Sequence, residues 1–263
     1  DRYKTQILGL ETKEFPLIPK VKHSNQIQIS PADLRAGIAA VLDAAASSET
    51  RPELSGVFLG LGNNRAEFAA TDSFRLAEKI IELPLTSESK IIIPRNTAAE
   101  LLRITAETEG ILTLNIADNQ LFVVGENFEF VSRLIDGHYP DYKKIIPDKF
   151  ISLVRVNRAE LEHNIRTAGI FSSSISDIKI RAADNQLTIT AQNSDRGEIA
   201  ATSHCQLKNE AFEVALNYRY LLDGLKSLFS QEIVIQFTGE GSPLVLRTDD
   251  HKGQTYLIMP LRK

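Results

Sequence analysis

The sequence contains no tryptophan, one methionine and one cysteine. A lone Cys205 can form neither an intrachain disulfide nor a cysteine metal cluster, and the absence of a disulfide framework fits a reducing, cytoplasmic setting. The five histidines, His23, His138, His163, His204 and His251, are scattered, with no two at metal-ligand spacing. No metal and no cofactor are therefore expected. No apolar run approaches the roughly 20 residues that span a bilayer, and Asp1-Arg2-Tyr3-Lys4-Thr5 does not read as a signal peptide. A basic surplus is also missing: 30 Lys and Arg face 34 Asp and Glu, a net charge of −4. Binding to nucleic acid usually needs a basic balance, so any such role has to come from where the charges sit.

Catalytic motifs are missing as well. Gly60-Leu61-Gly62-Asn63-Asn64 lies between two strand patterns instead of opening a helix, so it is no dinucleotide fingerprint. Gly239-Glu240-Gly241-Ser242-Pro243 reads as a hairpin loop for the same reason. No phosphate loop ends in Lys-Ser/Thr, and no G-x-S-x-G frames a nucleophile. Asp249-Asp250-His251 reads as a polar turn rather than a metal cluster. No catalytic residue is expected.

What is present is ordinary globular composition, 43% hydrophobic and 24% charged, in 263 residues. That length suits two domains. The chain also repeats itself. Gln26 to Ile29 alternates as a strand, Ser30-Pro31 opens a helix carrying Leu34, Ile38, Val41 and Leu42, and three strands follow at Gly56 to Leu61, Ala66 to Ala70 and Leu76 to Leu83. The pattern recurs as a strand at Lys90 to Ile93, a helix at Thr97 to Ile104, and strands at Leu112 to Ile116, Gln120 to Val124 and Glu129 to Ile135. Asn63-Asn64, Asp118-Asn119 and Gly125-Glu126 mark turns.

From Phe150 the order returns at an offset of about 125 residues. Asn157 caps a helix with Leu161, Ile165 and Ala168, and Ile178 to Ala182, Gln186 to Ala191 and Glu198 to Gln206 follow as strands. A strand at Ala211 to Leu216, the Asn217 cap, a helix at Tyr220 to Leu228, and strands at Glu232 to Phe237, Leu244 to Thr248 and Thr255 to Pro260 complete the copy. The reading is an α+β architecture of two look-alike domains, 25–147 and 148–263, each built from two strand–helix–three-strand units. Two units side by side are expected to give a continuous sheet with two helices on one side. The head, 1–24, fits as the last strand and exit of an earlier copy whose body is absent: Tyr3 to Leu8 and Glu14-Phe15-Pro16 parallel Phe130 to Ile135 and His138-Tyr139-Pro140.

Cations collect on the four helices: Arg35 on the first, Arg95 and Arg103 on the second, Arg158 and Arg166 on the third, Arg219 and Lys226 on the fourth. Within the last three they stand about two turns apart, on one face of each helix. Acids such as Glu53, Glu67, Glu126, Glu129, Asp195, Glu240, Asp249 and Asp250 fall on the sheets and loops. A basic helix face suits phosphate contact without sequence choice. It is equally what a solvated helix face looks like.

Four stretches, kept in order along the chain, carry a resemblance. Ala69-Ala70-Thr71-Asp72-Ser73-Phe74-Arg75-Leu76-Ala77 resembles the Thr-Asp-Gly-His-Arg-Leu-Ala stretch of bacterial replicative sliding clamps, the beta subunit of DNA polymerase III. Lys90 to Arg95, Arg133 to Tyr142 and Tyr256 to Arg262 are similar to the family's corresponding segments. The resemblance implies the DNA-clamp fold, with helices on the inner face and antiparallel sheets outside. Here the middle and C-terminal of three domains are present and the N-terminal domain is missing. It implies a non-catalytic processivity factor that encircles duplex DNA through phosphate contacts, the cations above facing the DNA. Two full-length chains close the ring as a homodimer, and this fragment is expected to be monomeric.

The implied partners besides duplex DNA are the DNA polymerase III alpha subunit, the clamp loader and other proteins with clamp-binding peptides. Their short peptides enter a groove between the middle and last domains. Carried over by position, one pocket comprises Leu54, Thr71, Ser73, Phe74, Arg75, Leu76, Pro140, Ile145, Leu257 and Met259. The adjoining surface is Arg51, Asn217, Tyr220, Pro243, Pro260, Leu261 and Arg262. Leu76 and Met259 would supply an apolar slot for leucine and aromatic anchors, and a lone methionine is adaptable packing material. The sequence departs from the family at Ser73-Phe74, where Gly-His is usual, and at Pro52-Glu53, where an aromatic pair is usual. The alternative is a repeated α+β protein-interaction module with no DNA role.

Overall fold

The computed structural model describes residues 2–14, 25–48, 50–85, 88–117, 119–249 and 253–261. Phe15, Pro16, His23, Asp118, Asp250, His251 and Arg262, all used in the sequence reading, lie outside the described residues.

Local signals set the helices. Ser30 accepts from the Asp33 amide at 3.0 Å and Pro31 occupies the first turn of helix α1 (Pro31–Val41). Pro94, with no amide hydrogen to donate, ends strand β5 (Ser89–Pro94) and starts α2 (Arg95–Thr105). Asn157 and Asn217 cap α3 (Arg158–Gly169) and α4 (Tyr218–Ser227) with their side-chain oxygens. Each helix opens a unit that begins one strand earlier. These leading strands are β1 (Asn25–Ile29), β5, β9 (Ser152–Asn157) and β14 (Phe212–Asn217).

Around them lie β2 (Gly56–Gly62), β3 (Arg65–Thr71), β4 (Arg75–Glu82), β6 (Leu112–Ala117), β7 (Gln120–Val124) and β8 (Glu129–Arg133) in the first half. The second half adds β10 (Asp177–Ala183), β11 (Gln186–Asn193), β12 (Gly197–His204), β13 (Gln206–Asn209), β15 (Glu232–Phe237), β16 (Leu244–Thr248) and β17 (Gln254–Ile258). The β2–β3 turn holds Asn63 and Asn64 at φ +52° and +57°, and the β10–β11 turn holds Asp184 and Asn185 at the same two values. Both are the left-handed pair that Asn and Asp tolerate in two-residue hairpins, and they stand at corresponding places in the element order of the two halves.

The units do not lie side by side as the sequence reading expected. Each lends its leading strand to its neighbour: β1 pairs with β6, and β5 with β2. In the second half β9 pairs with β15, and β14 with β10. The result is two four-stranded sheets, β1-β6-β7-β8 and β12-β11-β10-β14, and one nine-stranded sheet, β13-β9-β15-β16-β17-β4-β3-β2-β5. The exchange lets each helix cover a sheet that includes strands of both units. The long strand expected at Glu198 to Gln206 is broken at the buried Cys205, sending β12 and β13 to different sheets. Tyr3 to Leu8 form no strand; Tyr3, Ile7 and Leu8 are exposed and no strand among the described residues pairs with them.

The halves join where β17 pairs with β4, Gln254 opposite Lys79 through Ile258 opposite Arg75. α1 packs on α2, α3 on α4, and α1 on α4, so the helices form one row, α2-α1-α4-α3. Facing them, alternate residues such as Phe68, Tyr256 and Ala77 enter the main core. Their neighbours Ala69, Leu257 and Leu76 point to the other face of the sheet. There the segment from Pro140 to Phe150 crosses the strands and lays Tyr142, Ile146 and Phe150 over them. Both faces are covered, so β2, β3 and β17 are almost continuously buried, β2 with an unbroken apolar run and β17 with Gln254 and Thr255 among its buried residues. Among the described residues no helix is long and apolar enough to cross a membrane.

Candidate functional site

The site grows from the β3–β4 turn at the join between the halves. The Thr71 hydroxyl donates to the Arg75 carbonyl at 2.6 Å, and Asp72 Oδ1 accepts the amides of Phe74 and Arg75 at 2.9 and 3.0 Å. These bonds fold a turn so tight that Ser73 stands at φ +78°, a conformation glycine adopts freely and serine at a cost. Phe74 is thereby turned out, with 61% of its surface exposed. Its carbonyl still accepts the Met259 amide at 2.8 Å.

Around the turn, Leu76 lies opposite Leu257 in the β4–β17 ladder. Both were expected to line the pocket, Leu76 together with Met259 as its apolar slot; Leu76 and Leu257 are each only 1% exposed. They pack with Phe58, Tyr142 and Val245 beneath Tyr139, Ile146 and Phe150. The slot's floor is thus already core, because the crossing segment fills it with aromatic rings. Phe58 stacks on Tyr139 at 5.1 Å between centroids, and Tyr142 meets Phe58 edge-on at 6.0 Å. Leu54, 3% exposed, and Thr71, 6% exposed, are buried too. The apolar surface left to a partner is Phe74, Ile145 at 49% exposure, and the half-buried Pro140, Met259, Pro260 and Leu261. Half-buried Pro243 precedes Leu244, the ladder partner of Ile258, and so sits level with Met259. Arg51 is exposed and paired with Glu53 at 3.1 Å. Asn217 is engaged as a helix cap, and Leu261 is fixed by its amide on the Ala215 carbonyl at 2.9 Å.

Arg75 is no free surface cation. Its side chain is 11% exposed; Nε donates to Asp72 Oδ2 at 2.9 Å, Nη1 to Asp223 Oδ2 on α4, and the guanidinium lies 4.5 Å from the centroid of the Tyr220 ring. Burial alone would make this guanidinium easier to deprotonate, but Tyr256, Asp223 and Asp72 outweigh it and hold the charge more firmly than usual. Burial pushes the Tyr256 hydroxyl upward, against the pull of Arg75.

Sequence reasoning missed Asp223. Its signal was readable, since Tyr220, Asp223 and Lys226 recur every three residues along one face of α4. It also missed the polar patch under the crossing segment. There Lys143 bridges Glu67 at 2.6 Å and Glu78 is 7% exposed beside the buried Tyr142 hydroxyl, which closes no hydrogen bond of good geometry.

The helix cations divide into three groups. Arg95 and Arg158, at the two helix starts, are half-buried and donate to carbonyls past the end or near the end of a neighbouring helix: Arg95 Nη1 to Ala45 at 2.6 Å, Arg158 Nε to Leu225 at 3.0 Å. Arg103, Arg166 and Lys226 are exposed but paired, with Glu100, Glu162 and Asp43. Arg35 and Arg219 are exposed with no carboxylate partner among the described residues, Arg219 lying 5.9 Å from the Tyr218 ring. The row of helices therefore carries all seven, but with unequal freedom to meet an anion. Among the described residues no group of His, Cys, Asp and Glu could hold a metal ion.

Comparison with known proteins fits this geometry. The family model for the DNA polymerase III beta subunit, central domain, matches residues 28–141, and that for its C-terminal domain matches 143–262. The beta sliding clamp of Staphylococcus aureus is 32% identical over 259 residues, covering 97% of this chain and 68% of that protein. The beta sliding clamp of Staphylococcus epidermidis is 31% identical over the same length. Among solved structures, the DNA polymerase sliding clamp from Bacillus subtilis superimposes with a TM-score of 0.92 at 28% identity, covering 97% of this chain and 68% of that one. The DNA polymerase III beta subunit from Thermotoga maritima gives 0.91 at 26%, with 96% and 70% covered. The chain belongs to the DNA polymerase III beta subunit family of sliding clamps.

Proposed function

We propose that this protein is a sliding clamp that confers processivity on the replicative DNA polymerase in the cytoplasm. It does so as a non-catalytic subunit, encircling duplex DNA non-specifically and receiving partner peptides at the join of domains 25–147 and 148–263. The observation that carries the reading is the single row α2-α1-α4-α3, with seven cations on it, packed against sheets of which the nine-stranded one runs unbroken through the join. A row of that kind supports phosphate contact that can exchange from one position to the next. Ring closure belongs to two full-length chains arranged head to tail.

Partner proteins, the polymerase alpha subunit and clamp loader among them, are read as docking through short peptides on Phe74, Ile145, Met259 and Pro260. These present apolar surface beside a backbone already fixed by hydrogen bonds. Fluorescence anisotropy with a labelled Gln-Leu-x-Leu-Phe peptide tests this. Saturable binding that Met259→Ala weakens at least tenfold is the expected result. No binding at high micromolar protein would refute the groove and favour an interaction module of another kind.

A further inference from the structure

The geometry points to Asp223 as a positioning residue that holds the groove's β3–β4 turn across the domain join through the Arg75 guanidinium. This rests on the groove reading above. The chain of contacts is short. Asp223 on α4, in the second half, takes Arg75 Nη1, and Arg75 Nε reaches Asp72 at 2.9 Å in the first half. Asp72 then holds the amides of Phe74 and Arg75 with its other oxygen. A turn with Ser73 at φ +78° is strained and stays in place only when its surroundings fix it. The same turn carries the exposed Phe74 ring.

Charge argues in the same direction. Arg75 faces two carboxylates and an aromatic ring, and its side chain is 11% exposed. It has no cationic surface left to offer an acidic partner, so its service to the groove is geometric. α4 is also tied to the first half at its far end, where Lys226 meets Asp43 at 2.8 Å. With Tyr220 against Arg75 in its first turn and Lys226 on Asp43 in its last, α4 is a firm anchor for the link. Losing the link would leave the turn to sample other positions, and a peptide would then bind only the fraction of molecules with the turn in place.

The test uses the whole chain and the same labelled peptide, with Asp223→Asn, Arg75→Gln, the double variant and Asp223→Glu, each checked for an unchanged thermal midpoint. Asp223→Asn is expected to weaken peptide binding about fivefold or more, Arg75→Gln comparably, and the double variant no further than Arg75→Gln alone. Asp223→Glu should recover part of the loss. Because Arg75 is already neutralised, Arg75→Gln should leave the salt dependence of peptide binding as it is in the parent. Parental affinity in Asp223→Asn, additive losses in the double variant, or a flatter salt dependence in Arg75→Gln would each overturn the assignment while leaving the groove intact. Should Asp223→Asn lower the thermal midpoint, the unchanged-stability comparison passes to Asp223→Glu against Arg75→Gln, judged by the same additivity. A parent that binds no peptide would remove the groove reading and this assignment together.

Discussion

Gly224 lies in the middle of α4, where glycine is a poor helix residue. Replacing it with alanine should favour the helix by about 1 kcal/mol. The structure reverses that sign. A Cβ at Gly224 would stand 2.6 Å from the ring of Tyr256, which is 1% exposed on β17, the strand that joins the halves. No carbon approaches another that closely, so either the ring or the helix must move. Tyr256 is held by the main core, and overpacking of such a site costs about 1–3 kcal/mol. The net expectation for Gly224→Ala is a loss of up to about 2 kcal/mol, read as a drop of up to about 6 °C in the thermal midpoint.

A double-mutant cycle sharpens the test. In a Tyr256→Leu background the ring is gone, and the same Gly224→Ala change should become neutral or stabilising. A single Gly224→Ala variant at least as stable as the parent would refute the close-approach argument. So would an equal loss in both backgrounds.

Burial at the join raises the Glu78 carboxyl above its ordinary range, with Glu67 adding to the shift and Tyr142 and Lys143 opposing it. Since its pKa is higher folded than unfolded, the native state holds the extra proton between the two values. Stability therefore falls as pH rises through that window and stays lower above it. Glu78→Gln should raise stability at neutral pH and lose that advantage in acid; a parent whose urea midpoint rises steadily from acid to neutral pH with no such difference from the variant contradicts this. On the helix row, Arg35→Ala should weaken duplex-DNA binding uniformly across sequences and reduce the salt slope by about one. Arg103→Ala, whose charge is shared with Glu100, should do less, and equal effects in a filter-binding titration would undo the distinction.

The fold was legible because its signals are local and repeated. Ser30-Pro31, Asn157 and Asn217 mark helix starts with the side chains that cap them, and paired Asn or Asp-Asn residues mark hairpins by their tolerance of positive φ. What escaped was pairing. Nothing local in Asn25–Ile29 says that it joins the sheet of the next unit instead of its own, since both offer an apolar ladder at the same spacing. The break at Cys205 escaped for the same reason: one alternating run serves two sheets, and the switch is decided by which edge is vacant.

That the proposed groove residues lie near one another was legible in the sequence; how deeply each is buried was not. Leu76 and Leu257 belong to the place the sequence assigned, yet alternation cannot tell a residue facing solvent from one facing a segment that folds back over the sheet. Only the coordinates show Tyr139 and Tyr142 closing that face. Net charge is uninformative for a different reason. A total of −4 argues against DNA, but charge acts through where it sits, and 34 acids beside 30 bases say nothing about faces. On the helix row Glu100, Glu162 and Asp43 engage Arg103, Arg166 and Lys226, Asp33 and Glu160 add further acid, and Arg35 and Arg219 have no carboxylate partner among the described residues. The face is thus moderated rather than uniformly basic. Under the proposed clamp reading, individually weak phosphate contacts on such a face would exchange from one position to the next along the duplex.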